Sequence, residues 1–148
     1  MVSPLDAHLG YWLRYVSNHV SHAFGRRLAQ RGVTTAEWVV LRALHDHSSL
    51  PPSALAERLG MTRGAITKLA DRLIAKSLLV RTRSEDDRRF QALALTESGR
   101  ALLPDLAALA DANDAEFFGH LAPAERIAIE TAMKDIVRRH TLRAVPID

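Results

Sequence analysis

The apolar residues of segment 53–96 change their spacing from a helical to an alternating period, and this change constrains the fold more than any other feature of the chain. Residues 53–59 and 63–76 each place apolar side chains on one helical face, and Gly60-Met61-Thr62 separates them. Thr62 is a suitable N-cap for the second of these helices, whose buried face is predicted to be Ile66, Leu69 and Leu73. Thr34 with Glu37 is predicted to form a capping box, and Thr96 to cap the helix that follows residue 96. Two short helices joined by a three-residue turn have the dimensions of a helix-turn-helix.

The segment after the second helix is predicted to form a β-hairpin. Residues 78–80 are continuously apolar, residues 91–95 alternate, and a charge-dense loop separates the two runs. A hairpin that directly follows a helix-turn-helix is a wing. Residues 34–96 are therefore predicted to form a winged helix-turn-helix lobe, with the wing at 78–95.

Longer helices are predicted on both sides of this lobe. Apolar positions spaced three and four residues apart predict one helix over 4–31, which is 28 residues long, and two more over 97–118 and 124–141. The whole chain is short enough for a single domain. The predicted fold class is mainly α with a small β-hairpin wing.

The flanking segments, 1–33 and 97–148, are expected to be dimerisation helices. In one isolated chain their apolar stripes and the C-terminal Leu142, Val145 and Ile147 would stay in water, whereas a second copy related by a twofold axis would bury them. We therefore expect a homodimer. A closed monomer is the alternative.

The composition excludes several classes of function. The chain has no cysteine, which excludes disulfides, thiolate metal sites and a cysteine nucleophile. It contains no hydrolase, zinc-peptidase or phosphate-loop motif, so we expect neither an enzyme nor a bound cofactor. It has no apolar run of membrane-spanning length and no signal-peptide pattern at its start, so a cytoplasmic location without a membrane partner is expected.

The net charge of +3 is unevenly distributed along the chain. Residues 51–96 carry nine basic and five acidic side chains, whereas residues 97–148 carry six basic and nine acidic ones. A concentrated basic segment within a helix-turn-helix and wing predicts double-stranded DNA as the partner. A solvated amphipathic helix and ordinary surface ion pairs are the alternatives. The candidate DNA-binding residues are Ser53, Thr62, Arg63, Gly64, Thr67, Lys68, Arg72, Arg81, Arg83, Asp87, Arg88 and Arg89.

The segment from Asp87 to Thr96, DRRFQALALT, resembles the wing signature Asp-x-Arg-x-x-x-Leu-x-Leu-Thr of the MarR (multiple antibiotic resistance regulator) family. Segments 53–62 and 66–73 are similar to the two helices of that family's helix-turn-helix. The resemblance implies a transcriptional regulator in which the second of these helices, the recognition helix, faces the major groove or its phosphates. It also implies that Asp87 orients Arg89, which enters the minor groove.

Two positions depart from the family pattern. Ser77 follows the recognition helix where the family usually has glycine. Either a left-handed serine is present there, which is unfavourable, or the helix ends differently. Ala122 stands where a capping serine or threonine is usual, at a cost of about 0.5–2 kcal/mol. Neither position lies on the predicted DNA-binding face.

Members of this family often bind aromatic acids or phenols, so the resemblance implies a repressor that such a ligand releases from a palindromic operator. The candidate ligand-binding residues are Trp12, Tyr15, His19, Trp38 and Arg42. An aromatic ring could stack on either tryptophan, although both could equally be ordinary core residues. Two other functions remain open: a metal-responsive regulator using pairs such as His19 and His22, and an architectural DNA-binding protein without an effector.

Overall fold

The structure is a computed structural model that describes residues 1–83 and 91–143. A 3-10 turn at Leu5–Ala7 precedes six helices and one two-stranded antiparallel sheet. The tip of the predicted wing, with Asp87, Arg88 and Arg89, lies outside the described residues, as do Val145 and Ile147. The elements are α1 (Leu9–Ala29), α2 (Thr35–His45), α3 (Pro52–Leu59), α4 (Arg63–Ala75), β1 (Leu79–Arg83), β2 (Gln91–Leu95), α5 (Glu97–Phe118) and α6 (Pro123–Arg139).

The prediction of one continuous helix over 4–31 is wrong at its N-terminal end. His8 is extended, with φ −96° and ψ 127°, so α1 has 21 residues and begins only at Leu9. The indole Nε1 of Trp12 donates to the carbonyl of Asp6 at 2.9 Å. In a continuous helix that carbonyl would accept from the backbone N–H of Gly10, so the indole takes the place of a helical hydrogen bond.

Local signals placed the starts of three helices correctly. Thr34 and Glu37 form the predicted capping box of α2, with hydrogen bonds of 3.1 and 2.8 Å. Thr62 and Thr96 accept from the backbone N–H groups of Ala65 and Gly99, as N-caps of α4 and α5. These hydroxyls satisfy donors that have no partner within the helix.

One apolar core joins α2, α3, α4, the hairpin and the adjoining halves of α1 and α5. Its fully buried apolar side chains are Leu28, Val40, Leu41, Leu44, Leu55, Ile66, Leu73, Leu93 and Leu106. On α5, Leu102 is only partly buried, whereas its neighbour Leu103 is 2% exposed. This core holds the helix-turn-helix and the hairpin in one lobe.

The hairpin pairs Leu79 with Leu95 and Arg83 with Gln91. Leu50 adds a bridge to β2, exchanging hydrogen bonds of 2.9 and 2.8 Å with Leu93. Before the hairpin, Ser77 adopts a positive φ of 61°, so of the two possibilities for this position the structure has the left-handed serine. The hairpin is therefore anchored at its base, next to α4.

The last helix contacts the remainder of the described chain sparsely. None of its residues is buried, and Ile129, Met133, Ile136 and Val137 are 40–47% exposed. It ends at Arg139 rather than at the predicted residue 141, because Thr141 has a φ of 50°. At its start, Glu125 accepts from the N–H of Ala122 at 2.9 Å, which supplies only half of a capping box since alanine has no acceptor. An apolar face is thus left open on α6.

The helices of the described chain include none that is both long enough and apolar enough to span a bilayer.

Candidate nucleic-acid interface

Helix α4 presents a polar face to solvent and an apolar face to the core. Ile66, Leu69, Ala70 and Leu73 are buried, as the helical spacing predicted, with Ala70 added to the predicted three. Every polar position on the opposite face is exposed. The exposed residues are Arg63, Gly64, Thr67, Lys68, Asp71 and Arg72. A helix with this division can lie in the major groove of DNA without disturbing its own packing.

The N-terminal half of α4 leaves a side-chain acceptor and open space on its exposed face. The hydroxyl of Thr67 donates to the carbonyl of Arg63 at 2.9 Å, so its proton is used inside the helix while its oxygen can still accept a hydrogen bond from a base. At Gly64 an added Cβ would meet only Thr62 Oγ1, at 3.9 Å. The fold therefore does not require glycine there, and the open space faces outward. Lys68 and Arg63 flank this opening on the exposed face.

Two arginines of β1 differ in their surroundings. Arg81 donates to the carboxylate of Asp71, so its guanidinium is held against α4. Arg83 is exposed at the end of the strand. Ser53 is also exposed, in the first turn of α3. The sequence indicated all three as DNA-binding residues, but it contained no signal that one of them has an acidic partner.

Glu37 is a functional candidate that the sequence pattern indicated only as a helix cap. Its side chain is fully buried, and its two carboxylate oxygens each lie 2.9 Å from Nζ of Lys76. Nε of Arg72 lies 3.8 Å from the same carboxylate. Burial raises the pKa of Glu37, but hydrogen bonds from Lys76 and Thr34 outweigh it and hold the pKa below its ordinary value. Glu37 is therefore a buried anion beside the C-terminal end of α4.

The candidate ligand-binding residues lie in separate environments. On α1, Tyr15 stacks on His19 with ring centroids 5.2 Å apart, and Trp12 lies 6.4 Å from Tyr15. These three side chains are exposed. Trp38 instead packs edge-to-face on Phe24, with centroids 6.0 Å apart, at the border of the core.

Arg42, the fifth candidate, already has an anionic partner. Its Nη1 lies 2.9 Å from Asp46 Oδ2, four residues further along the chain. Hydrogen bonds from Arg42 and His45 lower the pKa of Asp46. A ligand carboxylate that binds Arg42 would share the guanidinium with Asp46 or displace Asp46 from it.

The histidine pairs do not assemble into a metal centre within the described residues. Throughout 1–83 and 91–143, no three histidine or carboxylate side chains are grouped closely enough to hold a metal ion. His45 contacts Asp46, with Nδ1 3.3 Å from Oδ1.

A cleft that the sequence did not indicate lies between α5 and α6. Its volume is about 270 Å³, and Phe118, Leu121, Ile129 and Met133 form its apolar lining. Arg126 and Asp114 close one side through an ion pair of 2.9 Å. This cleft is lined by none of the five candidate ligand-binding residues.

Comparison with known proteins relates the chain to transcriptional regulators. Residues 31–89 match the model of the MarR family. The chain is 43% identical over 72 residues to the transcriptional repressor MdtR of Bacillus subtilis, an alignment covering 49% of this chain and 46% of MdtR. It is 30% identical over 132 residues to a putative transcriptional regulatory protein for the hcr operon of Thauera aromatica, covering 88% of this chain and 80% of that protein. The chain spans about half the length of the first of these relatives.

Two solved structures share the fold over nearly the whole chain. CouR of Rhodococcus jostii bound to p-coumaroyl-CoA has a TM-score of 0.81 and 26% identity, and covers 99% of both chains. BpsR of Bordetella bronchiseptica, whose DNA binding is regulated by 6-hydroxynicotinic acid, has a TM-score of 0.80 and 26% identity. Its alignment covers 92% of this chain and 97% of BpsR.

Proposed function

Since this chain belongs to the MarR family of transcriptional regulators, we propose that it is a homodimeric repressor that binds a palindromic operator and leaves it on binding a small aromatic or phenolic ligand. The observation that carries the proposal is the exposed polar face of α4, which presents Arg63, Thr67 and Lys68 to solvent and on which Asp71 pairs with Arg81 of β1. As a regulator of transcription it would act in the cytoplasm, with the chromosome.

Each protomer would read one half of the operator. Arg63 and Lys68 can donate to guanine acceptors or to phosphates, and the free lone pairs of Thr67 can accept from a base amino group. The basic excess of segment 51–96 supplies the attraction to phosphates that is independent of sequence. Arg83 and the arginines of the wing tip would add contacts in the adjoining groove.

The homodimer is supported by the apolar surface that one chain leaves open. On α1, Leu9, Leu13 and Val16 are 45–71% exposed, although they continue the stripe that ends in the fully buried Leu28. Helix α6 has an apolar face with no cover in the described chain. Burying such a surface is favourable by about 25 cal/mol per Å². A twofold partner that contributes the same two helices would cover both faces.

The ligand class is inferred from the chemistry of the candidate residues and of the ligands named for the two similar structures. BpsR is regulated by 6-hydroxynicotinic acid and CouR binds p-coumaroyl-CoA, both of which contain an aromatic ring and an acyl group. In this chain, Trp12 and Tyr15 offer exposed rings and Arg42 offers a guanidinium. Aromatic stacking with one charged contact is a usual way to orient a small aromatic acid.

One experiment tests the proposal in two stages. Duplexes would first be selected from a random pool with the purified protein, and a palindrome with half-sites about one helical turn apart is expected. Small aromatic acids and phenols would then be screened for release of the selected duplex. Selection without any sequence preference would indicate an architectural DNA-binding protein, and release only by a divalent metal would indicate a metal-responsive regulator.

The variant Lys68→Ala gives the DNA-binding face its own test. If Lys68 reads a base, affinity should fall by about 1–3 kcal/mol at one base position, and if it holds a phosphate the loss should be similar for all duplexes. Lys134→Ala is the matched control, because Lys134 lies on α6 and pairs with Glu130 on the same helix. Equal affinity of Lys68→Ala and Lys134→Ala would place the DNA-binding face elsewhere.

A further inference from the structure

We propose that Glu37 is a positioning residue which, through Lys76, fixes the recognition helix α4 relative to α1 and thereby sets the half-site spacing that the dimer accepts. This inference rests on the proposed function, because it needs a dimer on a two-part operator. It concerns neither a base contact nor a ligand contact. Instead it concerns how the two recognition helices are held apart.

The carboxylate of Glu37 joins two elements that are far apart in sequence. At one side it accepts from the backbone N–H of Thr34 at 2.8 Å, at the start of α2. At the other it accepts two hydrogen bonds of 2.9 Å from Lys76, the residue that ends α4. The carboxylate thus lies between the entry to the lobe and the C-terminal end of the recognition helix.

The ammonium group of Lys76 extends this link to the turn after α1. Its third donor reaches the carbonyl of Gly32 at 2.7 Å, so all three of its protons have acceptors. Gly32 has a φ of 71°, which gives the turn between α1 and α2 its direction. Through one side chain, the end of α4 is therefore tied to the end of the predicted dimerisation helix.

The link is stiff at its Glu37 end, because that carboxylate has no access to water, whereas the Lys76 side chain is 38% exposed. A fully buried carboxylate that loses its partner is left as an uncompensated charge, which is strongly unfavourable. Surface ion pairs exchange freely with solvent and contribute little. A rotation of α4 that separates Lys76 from Glu37 is therefore resisted far more than a rotation that breaks a surface pair.

This restraint determines which operator spacings the dimer can bind. A dimer binds half-sites whose separation matches the separation of its recognition helices, so a looser helix accepts a wider range of spacings. Arg72 is a second residue of α4 that Glu37 restrains. Its Nε lies 3.8 Å from the Glu37 carboxylate, while its side chain is 53% exposed. The buried carboxylate thus also restricts where Arg72 can meet a phosphate.

The test uses the full-length protein, the selected operator and derivatives with one or two base pairs added or removed between the half-sites. Glu37→Gln keeps the size of the side chain and removes the charge that holds Lys76. Glu37→Gln/Lys76→Met also removes the ammonium, so that no unpaired charge is left if the single variant folds poorly. Glu130→Gln is the matched control, since it disrupts an exposed Glu–Lys pair with a 2.6 Å contact.

The wild-type protein and Glu130→Gln are expected to lose about tenfold or more in affinity when the spacing changes by one base pair. The Glu37 variants should bind all spacings within about threefold of one another. Their ranking of base substitutions inside one half-site should stay that of the wild type, and sedimentation should still show the same oligomer.

A Glu37 variant with a lower melting temperature but the wild-type spacing profile would overturn the inference and leave Glu37 a purely structural residue. Failure of the proposed function is a separate result: the wild-type protein would then select no two-part operator at all. The double variant distinguishes a lost positioning contact from misfolding, because its dimer and its half-site ranking are measured on the same sample.

Discussion

Arg81 of β1 donates to the carboxylate of Asp71 on α4, so the first strand of the hairpin and the recognition helix are joined by an ion pair on the candidate DNA-binding face. The two side chains are 39% and 59% exposed. An exposed pair contributes little to folding. Its effect on DNA binding should be larger, because Asp71 is an anion on the surface that we propose contacts phosphates.

The two members of this pair should therefore have opposite effects on DNA affinity. Arg81→Ala leaves Asp71 unneutralised and should weaken binding to every duplex. Asp71→Ala frees Arg81 and should strengthen binding that is independent of sequence, increasing the salt dependence by about one phosphate contact per protomer. Titrations at several salt concentrations measure both effects. If both variants weaken binding equally, the pair acts by orienting Arg81.

Gly99 should be essential for folding, whereas Gly64 should not. A Cβ at Gly99 would lie 2.3 Å from the carbonyl oxygen of Leu78, a backbone atom that cannot move aside easily. Gly99→Ala is therefore expected to destabilise the protein by about 1–3 kcal/mol or more in urea denaturation.

Gly64→Ala is the counterpart on the recognition helix. Because the nearest atom would be 3.9 Å away, stability should rise by about 0.5–1 kcal/mol from the better helix propensity of alanine. DNA affinity should nevertheless fall if the backbone of α4 approaches the duplex closely. Unchanged affinity would show that the start of α4 does not touch DNA.

Glu37 should make stability sensitive to acid. Its pKa in the folded protein is lowered by Lys76 and Thr34 despite the opposing effect of burial. The unfolded chain therefore binds the proton more tightly, so this contribution is complete above the unfolded pKa of about 4.3 and is lost as the pH falls through the lower folded value. Denaturation of the wild type and Glu37→Gln between pH 7 and 3 should show their difference shrinking below about pH 4.3. A difference that is constant across this range would contradict the assignment.

The pairing of Arg42 with Asp46 should compete with an acidic effector. Asp46→Asn removes the carboxylate that lies 2.9 Å from the guanidinium, and it should raise affinity for an aromatic acid while leaving affinity for a neutral phenol unchanged. Arg42→Ala should weaken binding of the acid alone. Calorimetric titration with one acid and its neutral analogue measures both. An equal effect on the acid and on its neutral analogue would show that Arg42 does not contact the ligand carboxylate.

The wing prediction comes from the sequence motif alone, because residues 84–90 are not described by the structure. Arg89→Ala should reduce DNA affinity and remove any preference for A·T-rich flanks, whose narrow minor groove attracts arginine. Asp87→Ala should show a weaker form of the same defect. Arg88→Ala is the neighbouring control and should lower affinity without changing the flank preference. If Arg88→Ala, and not Arg89→Ala, removed the flank preference, Arg88 would be the arginine that enters the minor groove.

Much of the candidate site was predictable because it depends on local chemistry. The exposed face of α4 follows from the helical spacing of Ile66, Leu69 and Leu73. The caps at Thr34 and Thr62 follow from residues three positions apart in sequence. Such contacts form within a single turn, so the residue types alone determine them.

Tertiary structure alone decided how that face is held. Glu37 and Lys76 are 39 residues apart, and Asp71 meets Arg81 across a helix and a strand. The close approach of Gly99 to Leu78 likewise depends on how α5 packs beside the base of the hairpin. The sequence by itself determined that these helices form, the caps at Thr34 and Thr62 and the polar face of α4, since these need only neighbouring residues, but it did not determine where α1 begins or α6 ends. Which distant charges pair depends on the packing of the core, because only the folded chain brings their side chains within hydrogen-bond distance.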